Sequence, residues 1–198
     1  MKRAKIGVLG YGPGETGIYE ALSDLGFDIF QVSLRELQRN NEKLDLVVSY
    51  GLKELIPADI IGQYRPVNLH ISLLPYNRGY HPNFWSFAEN SPSGVSIHLV
   101  DEGIDTGSIL FQQEVELNPI TNTFADSYLI LRNKIELLCV NNIGPLVFEN
   151  LEGQPQKGQG SFHKSSELPK EFLGWHRNIH EEIERLSELY EFPDFGFR

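Results

Sequence analysis

The chain has 198 residues, 40% hydrophobic and 22% charged, with a formal net charge of −10 at pH 7, which suits one globular domain that buries roughly 70% of its unfolded surface. These proportions exclude disordered, coiled-coil and collagen-like classes, and the acidic balance argues against a protein that grips phosphate backbones with clustered Lys and Arg. A single cysteine, Cys139, excludes an intrachain disulfide, and no run of residues resembles a signal peptide or approaches the ~20 apolar residues of a membrane span.

Residues 6–9 read as a buried strand, and 27–32 and 46–49 as further short apolar runs with helical spacers between them. The loop Gly12-Pro13-Gly14-Glu15-Thr16-Gly17 after the first strand has the glycine spacing of a dinucleotide site. Pro13 removes a donor that a phosphate cradle would use, however, and Ser33, not an acid, closes the second strand, so the loop reads first as a structural turn into a helix, with phosphate or nucleotide contact at the helix N-terminus as the alternative. Residues 52–64 read as a crossover helix, 67–70 as a fourth strand, 95–100 as a fifth, and 108–117 as a sixth whose polar alternation suits a sheet edge. From 123 to 150 apolar residues recur at helical spacing, giving one long helix and a short one with a break at Gly144-Pro145. Residues 153–160 are turn formers and read as a linker, and 172–190 carry Phe172, Trp175, Ile179, Ile183 and Leu186 at spacings of an amphipathic helix.

Strands alternating with helices imply an α/β three-layer sandwich with a mostly parallel sheet. Residues 1–152 are expected to form the catalytic domain, and 153–198 a linker and helical C-terminal extension packing on the same domain. The tail Phe192-Pro193-Asp194-Phe195-Gly196-Phe197 is apolar enough to dock on its own domain or on a neighbouring subunit, which leaves a homodimer open.

Several polar residues have bland readings. His176 and His180 stand four apart on the expected C-terminal helix, but no third ligand is indicated, so no metal site is expected. Cys139, among Leu137, Leu138 and Val140, reads as a small core hydrophobe. His98 alternates inside a strand and reads as core or substrate-lining, and His163 gives no signal. Asn68 and His70 differ, because two residues apart on one strand they face the same side, at the carboxyl end where open α/β sheets bind ligands. Burying an amide and an imidazole there is costly without partners. The loop Asp101-Glu102-Gly103-Ile104-Asp105-Thr106-Gly107 offers Asp105 as the carboxylate partner of the imidazole.

The pattern Asn68-x-His70-x-Ser72-Leu73-Leu74-Pro75-x-x-Arg78-Gly79, followed by Gly94-Val95-x-Ile97 and Asp105-x-Gly107-x-Ile109-Leu110, resembles the formyltransferases that use 10-formyltetrahydrofolate. The resemblance covers about residues 45 to 135 and implies a formyltransferase-like Rossmann variant. It implies Asn68, His70 and Asp105 as catalytic residues: Asn68 and protonated His70 stabilise the oxyanion formed when an amine attacks the formyl carbonyl, and Asp105 holds the imidazolium and relays a proton. Ser49, Tyr50, Gly51 and Leu52, with Glu102, Gly103 and Ile104, match the pterin-binding loops that take the formyl donor. Ser72, Arg78, Gly79, His81, Asn83 and Trp85 fall on the side where the acceptor enters.

The run Arg78-Gly79-x-x-Pro82-Asn83-x-Trp85 is closest to sugar N-formyltransferases, which implies a nucleotide-linked amino sugar as acceptor. Glycinamide ribonucleotide or another small amine is the alternative within the family. The tRNA-modifying members carry a basic C-terminal β-barrel, whereas the last fifty or so residues here look helical and the chain is acidic. Outside the family, a non-catalytic nucleotide-binding module and an NAD-dependent oxidoreductase remain as alternatives. The expected partners are small molecules, with neither nucleic acid nor membrane, and the expected location is the cytoplasm.

Overall fold

In the structure, a computed structural model, residues 3–39 and 43–194 are described. Met1 and Lys2, and the Phe195, Gly196 and Phe197 of the apolar tail, lie outside the described residues. The chain divides into two compact units: Met1–His70 with Ile97–Phe111 and Ile135–Gln156, and Ile71–Ser96 with Gln112–Lys134 and Lys157–Arg198.

Among the described residues, six strands form a sheet: β1 (Lys5–Gly10), β2 (Asp28–Gln31), β3 (Leu46–Tyr50), β4 (Val67–His70), β6 (Gly94–Leu99) and β7 (Ile109–Glu114), in the order β2-β1-β3-β4-β6-β7. β1 pairs in parallel with β2 and with β3, and β3 with β4. Parallel strands are covered on both faces, and accordingly all five residues of β3 are buried. β7 lies at the edge, as its alternation predicts, but stops at Glu114. The helices of the first unit are α1 (Ile18–Asp24), α2 (Leu34–Arg39), α3 (Ala58–Tyr64) and α6 (Ile143–Phe148), with the C-terminal part of α5 (Phe124–Asn141) from Ile135 on. Leu9, Leu37, Val47 and Ile60 form a buried cluster there.

Two helix boundaries differ from the sequence expectation for backbone reasons. The crossover starts at Ala58, because Pro57 is held extended at the N-cap and a proline is excluded from a helix interior. The long helix ends at Asn141, not at Gly144. Pro145 has no N–H for the carbonyl of residue 141, and its ring collides with that carbonyl; the proline is instead accommodated in the first turn of α6. Asn142 closes the junction by donating its side-chain N–H to the Leu138 carbonyl at 2.8 Å.

In the second unit, α4 (Pro82–Ala88), to which the sequence analysis assigned no element, and α7 (Ile179–Ser187) enclose an apolar core of Phe84, Trp85, Phe124, Ile179, Ile183 and Leu186, with Phe172 and Phe192 packed on it. Phe192 thus docks on its own unit. The expected helix over 172–190 is realised only as α7: Asn178 is its N-cap, accepting from Glu181 N, and Gly174 at φ +109° keeps the preceding segment out of helical conformation. His176 and His180 therefore do not share a helix. A two-residue parallel pair, β5 (Arg78–Gly79) with β8 (Phe162–His163), completes this unit.

Candidate active site

β4 ends at His70, and Asn68 lies two residues earlier on the same strand. Asn68 Nδ2 donates to Asp105 Oδ1 at 3.0 Å and reaches His98 Nε2 at 3.1 Å. The His70 Nδ1 atom lies 3.6 Å from Asp105 Oδ2, and His98 Nε2 lies 3.4 Å from Asp105 Oδ1. These side chains are largely withdrawn from solvent, with exposures of 9% for His70, 12% for Asp105 and 3% for His98. The amide orientation is chemically fixed, because a carboxylate accepts from N–H and repels a carbonyl oxygen. His98 Nδ1 is 2.7 Å from the Leu99 carbonyl, which makes Nδ1 the protonated nitrogen and leaves Nε2 to accept from Asn68. Both Asn68 amide hydrogens are thereby used, one on Asp105 and one on His98.

The three residues singled out from sequence thus converge, and His98 joins them. Its signal was present: Ser96-x-His98 on β6 repeats the spacing of Asn68-x-His70 on β4, and β6 is the neighbour of β4 in the sheet. The Asp-x-Gly pattern also has a steric cause. Asp105 adopts φ +53°, which Asp tolerates better than most residues, and a Cβ on Gly107 would strike the Leu99 carbonyl.

At the carboxyl end of β3, Ser49 and Tyr50 are buried, at 5% and 3% exposure. Tyr50 packs edge-on against Tyr11 at 4.9 Å and donates to Glu136 Oε1 at 3.0 Å. Gly51, at φ +72°, has no room for a Cβ beside the Tyr11 ring. At Gly51 itself the chain therefore presents backbone alone. In the acidic loop, Asp101 Oδ1 accepts from Gly103 N at 3.1 Å and Thr106 Oγ1 at 2.6 Å, while Glu102 and Ile104 are exposed.

The glycine loop closes on itself. Gly12 N donates to Glu15 Oε2 at 2.8 Å, and Gly17 N, at the start of α1, donates to Glu136 Oε2 at 3.1 Å. A carboxylate of the chain's own takes the place a phosphate would need. Cys139 is fully buried, and burial, with Glu136 nearby, pushes its thiol up to about 12, far from a reactive thiolate.

The expected acceptor residues lie in the second unit, and each has a defined place. Ser72 Oγ donates to the Tyr76 carbonyl at 2.7 Å. Arg78 Nε donates to the Ser161 carbonyl at 3.3 Å, and Gly79, at φ +85°, could carry no Cβ beside the His163 carbonyl. Asn83 is buried, donating to the Phe124 carbonyl and accepting from Ser127 Oγ, both at 2.8 Å. Trp85 is only 6% exposed and lies flat on His163, with ring centres 3.8 Å apart. His81 is half-buried, beside Trp175 at 5.4 Å, and burial holds its imidazole below the ordinary value, so it is neutral at pH 7. His81, Phe124, Tyr128, Trp175 and Ile71, the residue after His70, line a cavity of about 450 Å³. Its largely aromatic and apolar walls suit the apolar face of a small organic ligand. Among the described residues, no group of three or more His, Cys, Asp or Glu side chains is arranged to hold a metal ion, and no helix is long and apolar enough to cross a membrane.

Residues 30–134 match the formyl transferase family. The dTDP-4-amino-4,6-dideoxyglucose formyltransferase of Mycobacterium tuberculosis is 41% identical over 73 residues, 37% of this chain and 31% of that protein. A methionyl-tRNA formyltransferase of Agathobacter rectalis is 30% identical over 183 residues, 86% of this chain and 57% of the other. The chain thus matches 31% to 57% of the length of these curated relatives. Among solved structures, the formyltransferase PseJ from Anoxybacillus kamchatkensis, in complex with UDP-4,6-dideoxy-4-formamido-L-AltNAc and tetrahydrofolate, superposes with a TM-score of 0.77 and 33% identity over 90% of this chain and 97% of that one.

Proposed function

The chain belongs to the formyl transferase family, and from that premise we propose that it transfers the formyl group of 10-formyltetrahydrofolate to the primary amine of a nucleotide-linked amino sugar. The observation that carries this reading is that Asn68 and His70, at the end of one strand, both meet Asp105, at 3.0 and 3.6 Å. The likeness to PseJ, over nearly the whole of both chains, supports the choice of acceptor.

In the proposed reaction the acceptor nitrogen forms a bond to the formyl carbon, the bond from that carbon to the folate nitrogen breaks, and one proton passes from the amine to the departing nitrogen. His70, oriented by Asp105, donates a hydrogen bond to the oxyanion that forms in between. Asn68 supplies a second donor by releasing the hydrogen it shares with His98. Its bond to Asp105 is charge-assisted and is the one it keeps. Asp105 then passes the proton toward the leaving nitrogen. The backbone of residues 51 and 52 and of 102–104 fits the edge of a pterin, since the glycines fix the loop shapes and the Ser49 and Tyr50 side chains point into the protein. In the proposed reaction, the cavity of the second unit lined by His81, Phe124, Tyr128 and Trp175 is the place for the apolar face of the acceptor. The reaction is assigned to the cytoplasm.

The test is a panel of nucleotide-linked amino sugars, glycinamide ribonucleotide and charged initiator tRNA, each incubated with the formyl donor and read by tetrahydrofolate release. A 4-amino-4,6-dideoxy sugar nucleotide is expected to give the dominant signal. Turnover of glycinamide ribonucleotide alone would reassign the acceptor, and no release with any amine would end the reading.

A further inference from the structure

Gln156 closes the first unit, in a segment without regular secondary structure. Its Nε2 donates to the Asp105 carbonyl at 2.7 Å and to the Gly107 carbonyl at 3.0 Å. Both amide hydrogens are spent on these two bonds. Reversing the amide would set its oxygen against two carbonyl oxygens, so the orientation is fixed. Oε1, at the other end, is buried and has no hydrogen-bond partner. A buried amide with one end unsatisfied is destabilising in itself, so what the residue contributes lies in the two bonds that it makes.

Those bonds fall on a strained stretch. Asp105 is at φ +53°, a conformation that a non-glycine residue keeps only when its surroundings impose it. The upstream half of the loop is closed by Asp101, through Gly103 N and Thr106 Oγ1. Gln156 ties down the part beyond, on either side of Thr106. We infer that Gln156 is a positioning residue for formyl transfer: it fixes the Asp105 and Gly107 carbonyls so that the Asp105 carboxylate meets Asn68 and His70. This inference rests on the role proposed above for Asp105.

Separate closure by Asp101 makes the consequences separable. In Gln156→Ala the pterin loop at 102–104 retains its own ties while Asp105 drifts, so kcat is expected to fall about 10- to 100-fold with KM for 10-formyltetrahydrofolate unchanged within about three-fold. Gln156→Glu supplies a readout that a purely structural role would not move. Its ionised carboxylate repels both carbonyls, whereas its protonated form donates an O–H to one of them, so activity relative to wild type is expected to climb as pH falls from about 8 to about 6. Asp101, Glu102, Asp105, His70 and His98 near the clamp, and Glu152 and Lys157 on its own segment, are common to both proteins and cancel in that ratio. Because the change occurs within one folded variant, poor folding of Gln156→Ala leaves the test intact. A Gln156→Ala enzyme with wild-type kcat, or a Gln156→Glu ratio flat with pH, beside an inactive Asp105→Asn enzyme, overturns the clamp alone. An Asp105→Asn enzyme with wild-type turnover removes the reading of Asp105 and the clamp with it.

Discussion

Asp105 accepts from Asn68 and faces the His70 imidazole, and its negative charge strengthens both contacts. Replacing it with Asn keeps the shape but exchanges a carboxylate for a neutral amide, so His70 loses its anionic partner at the stage when the oxyanion needs a donor. Asp105→Asn is expected to lower kcat about 100-fold or more, with folate KM little changed, because the pterin loop is closed by Asp101 and not by Asp105. His70→Ala should be equally severe. Steady-state kinetics in both substrates check this; equal losses in kcat and in folate binding would make Asp105 part of the binding loop and no more. The Asn-x-His pair was legible in the sequence because period-two spacing sends dissimilar polar groups to one face. His98 shares that spacing but was hidden by the equal plausibility of a core histidine. The burial of Asn83 and Trp85 was not legible, since nothing local distinguishes an aromatic that lines a pocket from one that stacks on His163 inside the protein.

At the scale of elements, the helices begin and end where backbone chemistry requires. Thr123 and Asp126 bond reciprocally at the start of α5, as Ser33 and Glu36 do at α2, and both pairs are readable as capping patterns. The aromatic spacing at 172–175 was misleading, because rings three residues apart also arise when an irregular segment wraps a cluster, as Phe172 and Trp175 do around Phe124. That segment is secured by Glu182 on α7, which is fully buried and accepts from Leu173 N at 2.8 Å and from Arg185 at 2.7 and 3.1 Å. Burial opposes ionisation of Glu182, but the hydrogen bonds from Arg185 and Leu173 and the charges of Arg185 and Arg177 outweigh it, so its carboxyl lies below its ordinary value. A carboxylate whose folded value is depressed stabilises above its unfolded value, near ~4.3, and loses that contribution as pH falls through the folded one. Glu182→Gln is therefore expected to cost about 1–2 kcal/mol at neutral pH, with the gap to wild type narrowing below about pH 4. Urea unfolding of both proteins at several pH values measures it, and a gap that stays constant into acid would refute the assignment.

For the whole molecule the decisive quantity is charge. Lys and Arg number 17 against 27 Asp and Glu, leaving −10 at pH 7, while the proposed substrates, a nucleotide diphosphate and a folate, are anions. Recognition of the acceptor must therefore be short-range, through bonds and ring contacts, since the far field opposes approach. At about 0.01 M salt the screening length is ~30 Å and the repulsion reaches well beyond the site; at about 0.15 M it shrinks to ~8 Å. kcat/KM for the sugar nucleotide is accordingly expected to rise as sodium chloride is added over this range, the reverse of an enzyme that steers its anion. A polyanion carries the same argument further, because binding one requires the release of counterions by clustered cations, so charged tRNA should compete poorly for the acceptor at any salt in the range. Stopped-flow or initial-rate measurements at matched pH read both effects. A steep fall of kcat/KM with salt, together with strong competition by tRNA, would mean that a local cationic surface outweighs the net charge, and would return the tRNA-modifying relatives to consideration as a guide to the acceptor.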